Sequence, residues 1–112
     1  EQQAFPPSDR TWYQRGLALK ELKRYEGAFA AFNKVLKVEP NNDKAWFQRG
    51  IVLGKAKKLA EAIAAYDKAV EINPQYDRAW IDRGVALGKL QRHEEAFQSF
   101  DKAVQIKPDS AV

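Results

Sequence analysis

Few side chains in this sequence have the types and spacing that covalent catalysis requires. The 112 residues include one histidine, His93, and no cysteine, which excludes a thiolate nucleophile, a thiolate metal site and a disulfide. Glu94 and Glu95 are adjacent, so their carboxylates point in different directions on a helix. No serine lies in a nucleophile motif, and no glycine-rich loop follows a strand. We therefore expect no catalytic residue, no metal site and no cofactor, and an enzyme is the least favoured class of protein.

Reversible binding is the chemistry that the sequence does support, through side chains that recur in three rows. One row is apolar, one is basic and one is polar. Their members are Tyr13 with Leu17, Phe47 with Ile51 and Ile81 with Val85; Arg10, Lys44 and Arg78; and Gln14, Gln48 and Asp82. An apolar row beside a basic one predicts a protein or peptide partner with apolar and acidic residues. Two alternatives stay open: the apolar row could be core between neighbouring units, and the basic row could be a solvated face.

The rows recur because the chain is built from a repeated segment. Residues 43–76 and 77–110 are identical at 16 of 34 positions, and self-similarity at this period indicates stacked supersecondary units. The positions that mark the period are Trp12, Trp46 and Trp80; Gly16, Gly50 and Gly84; Ala28, Ala62 and Ala96; and Pro40, Pro74 and Pro108.

The repeat divides the chain into five segments. We expect an extended tail over 1–8, units over 9–42, 43–76 and 77–110, and a short C-terminal end over 111–112. In the tail, Phe5 could cap the first unit, bind a neighbour's groove or belong to a disordered segment. Because the sequence starts at Glu1 and contains no methionine, we expect a processed product or a fragment of a longer protein, and we favour the fragment.

Each unit has the apolar spacing of two helices. In the second unit, Trp46, Gly50 and Leu53 share one face of a predicted helix over about 43–56. A second predicted helix covers about 59–72 and ends before Pro74. The short link between them permits only an antiparallel pair.

The repeated glycines predict where the two helices of a unit pack together, and the repeated aspartates predict where each first helix begins. Glycine inside a helix costs about 1 kcal/mol relative to alanine, so we expect the repeated glycines to meet the repeated alanines at close range. The aspartates that open the first helices are expected to cap them. These aspartates are Asp9, Asp43 and Asp77.

The patterns W-x-x-x-G-x-x-L and A-x-x-x-[FY]-x-x-[AV], with the closing proline, resemble the tetratricopeptide repeat family in three units over residues 9–110. The resemblance implies an all-α fold, a right-handed superhelical solenoid of three antiparallel helix pairs whose first helices line a concave groove. It also implies a non-catalytic protein-interaction module, with the three rows in the groove. Val35 departs from the family pattern, where alanine is usual, and so do Arg15, Arg49 and Arg83, where leucine is usual.

One groove chemistry of the family is not expected here. Family members that bind a chaperone's C-terminal carboxylate use a clamp of Lys, Asn, Asn, Lys and Arg, and only Arg78 could serve in this chain because Asp82 would repel the ligand. The matching positions hold Tyr13, Leu17, Gln48, Arg78 and Asp82. The three repeated arginines have a predicted structural role, with Asp77 or Asp82 as the carboxylate partner of Arg49 and its neighbours.

Charge leaves nucleic-acid or anionic-surface binding as a weakly supported third hypothesis, and hydropathy excludes a membrane span. The net charge of +4 and the basic residues near the turns, among them Lys20, give little support for nucleic-acid binding because no aromatic side chains interleave with them. No apolar run is long enough to span a membrane. The compartment stays unknown, although the cytoplasm is slightly favoured.

The last predicted helix, over about 93–106, carries an apolar face that the following residues are too few to cover. Its large apolar side chains are Phe97, Phe100 and Val104. Either further repeats follow in the parent protein or this face meets another molecule, for example a second copy in a homo-oligomer. Self-association through this face is therefore the alternative to binding in the groove.

Overall fold

The computed structural model describes residues 9–108, which form six α-helices and no strand. The predicted tail over 1–8, with Phe5, and the residues from 109 onwards lie outside this range. The helices are α1 (Asp9–Glu21), α2 (Tyr25–Val38), α3 (Asp43–Lys55), α4 (Leu59–Ile72), α5 (Asp77–Lys89) and α6 (His93–Ile106). The prediction of an all-α fold is confirmed, and the helix ends expected for the second unit agree to within one residue.

The six helices form a solenoid in which contacts join only near neighbours in sequence. Each hairpin packs internally, and each second helix also packs against the first helix of the next hairpin. The first helices contact one another, α1 with α3 and α3 with α5, whereas α2, α4 and α6 make no contact among themselves within residues 9–108. Because the first helices crowd together on one side, they line the concave surface. The array measures 52 × 25 × 24 Å.

Each hairpin closes with an aromatic ring against a glycine. A Cβ added to Gly50 would stand 2.5 Å from Tyr66 Cε1, and a Cβ added to Gly16 would stand 2.7 Å from Phe32 Cε1. Phe100 lies against Gly84 in the same way. Of the repeated alanines, Ala62 comes within 4.0 Å of a Cβ added to Gly54, one turn further along α3. The three glycines thus leave room for the rings of the second helices.

The turns inside the hairpins end the first helices with a residue in the left-handed region. Lys23, Lys57 and Gln91 have φ values of 61°, 66° and 65°. Each is followed by an N–H that donates back to the carbonyl five residues earlier, as Lys58 does to Leu53 at 2.8 Å. This arrangement satisfies free carbonyl groups at the helix end, and a non-glycine residue there costs about 1 kcal/mol.

The starts of α3 and α5 differ in how their free N–H groups are capped. At α3 the capping side chain is Asn42, whose Oδ1 accepts from the Ala45 N–H at 3.0 Å, while at α5 the residue before the helix, Tyr76, makes no side-chain cap. Asp43 Oδ1 accepts from the free Lys44 N–H at 2.9 Å, as predicted, and its Oδ2 also accepts from the Asn73 amide at 2.9 Å. The side chain of Asp9 is outside the described part.

Asp77 makes the corresponding contact in the third unit, with Lys107 Nζ at 3.7 Å. Asp43 and Asp77 therefore each tie the start of a hairpin to its end.

Two repeated side chains join neighbouring hairpins. The indole N–H of Trp46 donates to the Pro40 carbonyl at 2.8 Å, and Trp80 donates to Pro74 at 2.9 Å. These bonds hold each connecting loop against the helix that follows it. Each indole N–H thereby has a hydrogen-bond acceptor, and the bond restrains both the loop and the tryptophan.

Two of the repeated arginines, Arg49 and Arg83, bind side chains on the second helix of the preceding hairpin. Arg49 Nη1 donates to Asn33 Oδ1 at 2.7 Å, and its guanidinium lies over the Phe29 ring at 4.7 Å. Arg83 Nε forms an ion pair with Asp67 at 2.5 Å. The predicted partners Asp77 and Asp82 are wrong for Arg49, because this side chain points to the preceding unit. The arginines therefore join units, which is the structural role predicted for them.

Candidate functional site

The concave surface divides the predicted apolar row between core and exposed side chains. Phe47 is 3% exposed, with its ring 5.0 Å from that of Tyr76 and 6.0 Å from that of Tyr66. Ile51 packs against the same buried cluster. Val85, by contrast, is 44% exposed. Phe47 thus contributes to the interface between the second and third units, while the far end of the row faces solvent.

The first-unit members of the apolar row are partly buried. Tyr13 meets Phe32 edge to face, with centroids 5.6 Å apart, and Leu17 packs beside Phe32 as well. Burial raises the pKa of Tyr13, and a hydrogen bond with Gln48 opposes that shift. Ile81, in the third unit, is also partly exposed. The row is therefore continuous along the surface but unequal in exposure.

The basic row lies exposed beside the apolar one. Arg10, Lys44 and Arg78 all have exposed side chains. Arg10 and Lys44 line a shallow cavity of about 150 Å³ with Tyr13. Arg78 stacks over the Phe47 ring, with Cζ 5.6 Å from its centroid. This stacking holds one guanidinium close to the concave surface, where it can meet a carboxylate.

The polar row differs most from unit to unit. Gln14 is exposed. Gln48 Oε1 accepts from Lys20 Nζ at 2.9 Å, which joins α1 to α3 across the concave surface. Lys20 therefore lies in the site and not only in the basic edge where its sequence position suggested it. The bond was not expected from sequence, although Lys20 stands at the repeat position that holds glycine in the other two units, Gly54 and Gly88.

Asp82 replaces Gln48 in the third unit and has no such cation. Gly54 stands where Lys20 would be, and a cavity of about 220 Å³ opens there, lined in part by Ile51, Tyr66 and Val85. Burial raises the pKa of the Asp82 carboxyl, and the nearby Arg78 guanidinium opposes that shift. No hydrogen bond or ion pair to Asp82 occurs within residues 9–108. The concave surface thus holds a half-buried carboxylate beside a cavity with a partly apolar lining.

Across residues 9–108, no group of three or more His, Cys, Asp or Glu side chains could hold a metal ion. The same range contains no helix long and apolar enough to cross a membrane.

Two family models match the chain, and both describe the tetratricopeptide repeat. The first covers residues 13–77 and the second covers residues 77–110. The first match alone spans more than half of the chain. The chain belongs to the tetratricopeptide repeat family. No curated protein sequence matches this tetratricopeptide repeat chain.

Solved structures of other tetratricopeptide repeat proteins share the fold. MamA has a TM-score of 0.88 at 25% identity, with 93% of this chain and 61% of MamA covered. YrrB, described as a TPR protein with an unusual peptide-binding site, has a TM-score of 0.86 at 26% identity, with 93% and 54% covered. The chain therefore spans about three fifths of the MamA chain and about half of the YrrB chain.

A third similar structure contains a bound peptide. It is the first TPR domain of Spaghetti (RPAP3) bound to the HSP90 peptide SRMEEVD, with a TM-score of 0.87 at 25% identity. The match covers 89% of this chain and 79% of that one. The fold is thus one that serves as a protein-interaction scaffold.

Proposed function

We propose that this protein is a non-catalytic scaffold that binds a peptide segment of a partner protein along its concave surface. The observation that carries the proposal is the exposure of Val85 on that surface, beside the exposed basic row and the partly exposed Ile81. An apolar side chain that its own fold leaves uncovered supplies binding free energy when a ligand buries it. The peptide complex of the RPAP3 domain and the unusual peptide-binding site of YrrB lend support from structures of the same fold.

The basic row favours a ligand with acidic as well as apolar residues. Exposed guanidinium and ammonium groups steer and select a carboxylate more than they strengthen binding. The clamp that binds a chaperone tail does not match this surface, because Tyr13 and Asp82 occupy two of its positions. Apolar contacts with Ile81 and Val85 are therefore proposed to dominate the affinity for the peptide.

Removing the exposed apolar groups is expected to weaken peptide binding by about tenfold or more. The full chain is first used to select peptides from a displayed random library, and their affinities are measured by calorimetry. The double variant Ile81→Ser, Val85→Ser should lose binding. Phe47 is left unchanged, since its buried ring would make any loss a stability effect.

The matched control is Leu22→Ser, Val38→Ser, which removes two aliphatic groups that are exposed outside the concave surface. It should bind the selected peptides as the wild type does. Equal affinities for wild type and the groove variant, or a library that yields no binding peptide, would rule out the groove as the binding surface.

A second candidate function is self-association through the outer face of α6. Phe97, Phe100 and Val104 are 68%, 39% and 44% exposed. The residues at the same repeat positions in the second unit are buried beneath α5 at 8% exposure or less, namely Ile63, Tyr66 and Val70. The face is thus shaped to receive another apolar surface, and a second copy of the chain presents the same one.

Sedimentation equilibrium tests this second candidate. The wild type is expected to form a dimer with rising concentration, and Phe97→Glu should return it to a monomer because a carboxylate would be buried in the interface. Leu22→Glu, at an exposed position far from α6, is the control and should leave the dimer intact. A wild-type chain that stays monomeric at its highest soluble concentration would eliminate this candidate.

A further inference from the structure

The interface between the first two hairpins contains a cation that the next interface lacks. Lys20 extends from α1 to α3 and donates to Gln48 Oε1 at 2.9 Å. One repeat later, the acceptor is a carboxylate, Asp82, and the donor position is Gly54. The second interface therefore has the stronger acceptor, the Asp82 carboxylate. It has no lysine to donate to that acceptor, because glycine stands at the position of Lys20.

The missing side chain leaves a space of suitable size and lining. The cavity of about 220 Å³ is bordered by Gly54, Ile51, Tyr66, Asp82 and Val85. A Cβ built on Gly54 would come no nearer than 4.0 Å to Ala62 Cβ and the Tyr66 hydroxyl oxygen. A long aliphatic stem could therefore lie against the apolar wall while its charged end reaches the carboxylate, as lysine and arginine side chains do elsewhere.

We propose that this cavity, between α3 and α5, binds a lysine or arginine side chain of the partner polypeptide, with Asp82 as its acceptor. The inference rests on the proposed function, since the same polypeptide lies along the concave surface. In the first interface, the hydrogen bond from Lys20 to Gln48 is the equivalent contact within the chain itself. A ligand that meets both this cavity and the basic row carries a basic residue as well as acidic ones.

The charges around the cavity allow this assignment. Arg78 lies close enough to Asp82 to lower its pKa, but burial has the larger effect and raises it, so the carboxylate is incompletely compensated. Lys55 and Lys89 also border the cavity. Both are exposed, and neither pairs with Asp82 within the described range. A ligand cation that displaces water beside Asp82 would supply the missing partner.

A double-mutant cycle on the selected peptides tests the contact. We expect those peptides to carry a lysine or arginine, and its replacement by norleucine should weaken binding to the wild type by about tenfold. With Asp82→Asn the same replacement should cost almost nothing, because the two groups act as a pair. The carboxyl pKa of Asp82, followed by NMR, should fall when the lysine peptide binds.

Gly54→Lys is a second variant that does not alter the carboxylate. It is expected to place an ammonium group beside Asp82, as Lys20 is placed beside Gln48, and so to abolish the preference for a basic residue. Asp101→Asn on α6 is the matched control: it removes one negative charge away from the cavity and should leave the preference unchanged.

Three further outcomes would count against the inference. Peptides that bind through Ile81 and Val85 but lack a basic residue would overturn it and leave the proposed function standing. The same conclusion follows if Asp82→Asn leaves the cost of the norleucine replacement unchanged. A library that yields no binding peptide would overturn both.

Discussion

Replacing Phe32 by alanine is expected to lower the free energy of unfolding by about 3–5 kcal/mol. The ring is fully buried, lies against Gly16, and is contacted edge to face by Tyr13. Its removal would leave a cavity that α1 and α2 cannot close without losing their other contacts. Urea denaturation followed by circular dichroism measures the change.

Phe100 provides the matched comparison, since it occupies the same repeat position against Gly84 but is 39% exposed. Phe100→Ala is expected to cost clearly less than Phe32→Ala, because less apolar surface returns to water. Equal costs at low protein concentration would contradict the difference in burial. A cost at Phe100 that rises with concentration would instead show that a second chain covers α6.

Replacing Gly50 by alanine is expected to destabilise the protein by about 1 kcal/mol, against the usual trend for glycine in a helix. Alanine normally gains about 1 kcal/mol of helix stability. Here the new Cβ would stand 2.5 Å from Cε1 of Tyr66, a ring that is 4% exposed and held by Phe47. Overpacking of this kind typically costs about 1–3 kcal/mol.

Gly88→Ala is the control, because nothing lies within 4 Å of the Cβ that it would add. This variant should be stabilised by up to about 1 kcal/mol. Thermal or urea denaturation of the two variants should therefore give shifts of opposite sign. A stabilised Gly50→Ala would mean that the Tyr66 ring can move aside, and the tight fit of ring on glycine would be refuted.

The sequence predicted the helices well because their ends depend on neighbouring residues. Pro74 and the apolar spacing around Trp46 are sufficient to place the end of α4 and the buried face of α3. The left-handed residues Lys23, Lys57 and Gln91 were not predicted, since glycine is the residue usually found at such positions. The backbone there follows from the tight turn and not from the residue type.

Contacts between units were harder to predict than the units themselves. A repeat period gives the face of a helix on which a residue lies, but not which neighbouring helix that face meets. Arg49 was therefore assigned to the following unit, although it binds Asn33 in the preceding one. For the same reason, the sequence left open whether Phe47 lies in the groove or in the core between units, and it is buried.

The candidate site depends on a difference between repeats, not on what they share. Lys20 and Gly54 occupy the same position in the period, yet one supplies a cation and the other leaves a cavity. The sequence shows that these two residues differ. Only the structure shows that Lys20 donates to Gln48 across the concave surface. Specificity on this surface is thus expected from the positions where the copies have diverged.

The restriction of contacts to adjacent hairpins also bears on how such a chain can evolve. Within the described residues, nothing on α1 or α2 touches α5 or α6, so the first and third units do not depend on one another directly. A gene duplication that inserted another copy of the central unit would reproduce contacts already present on both of its sides. The array could therefore lengthen in steps of one repeat, and each new copy would be free to acquire its own residues at the position of Lys20.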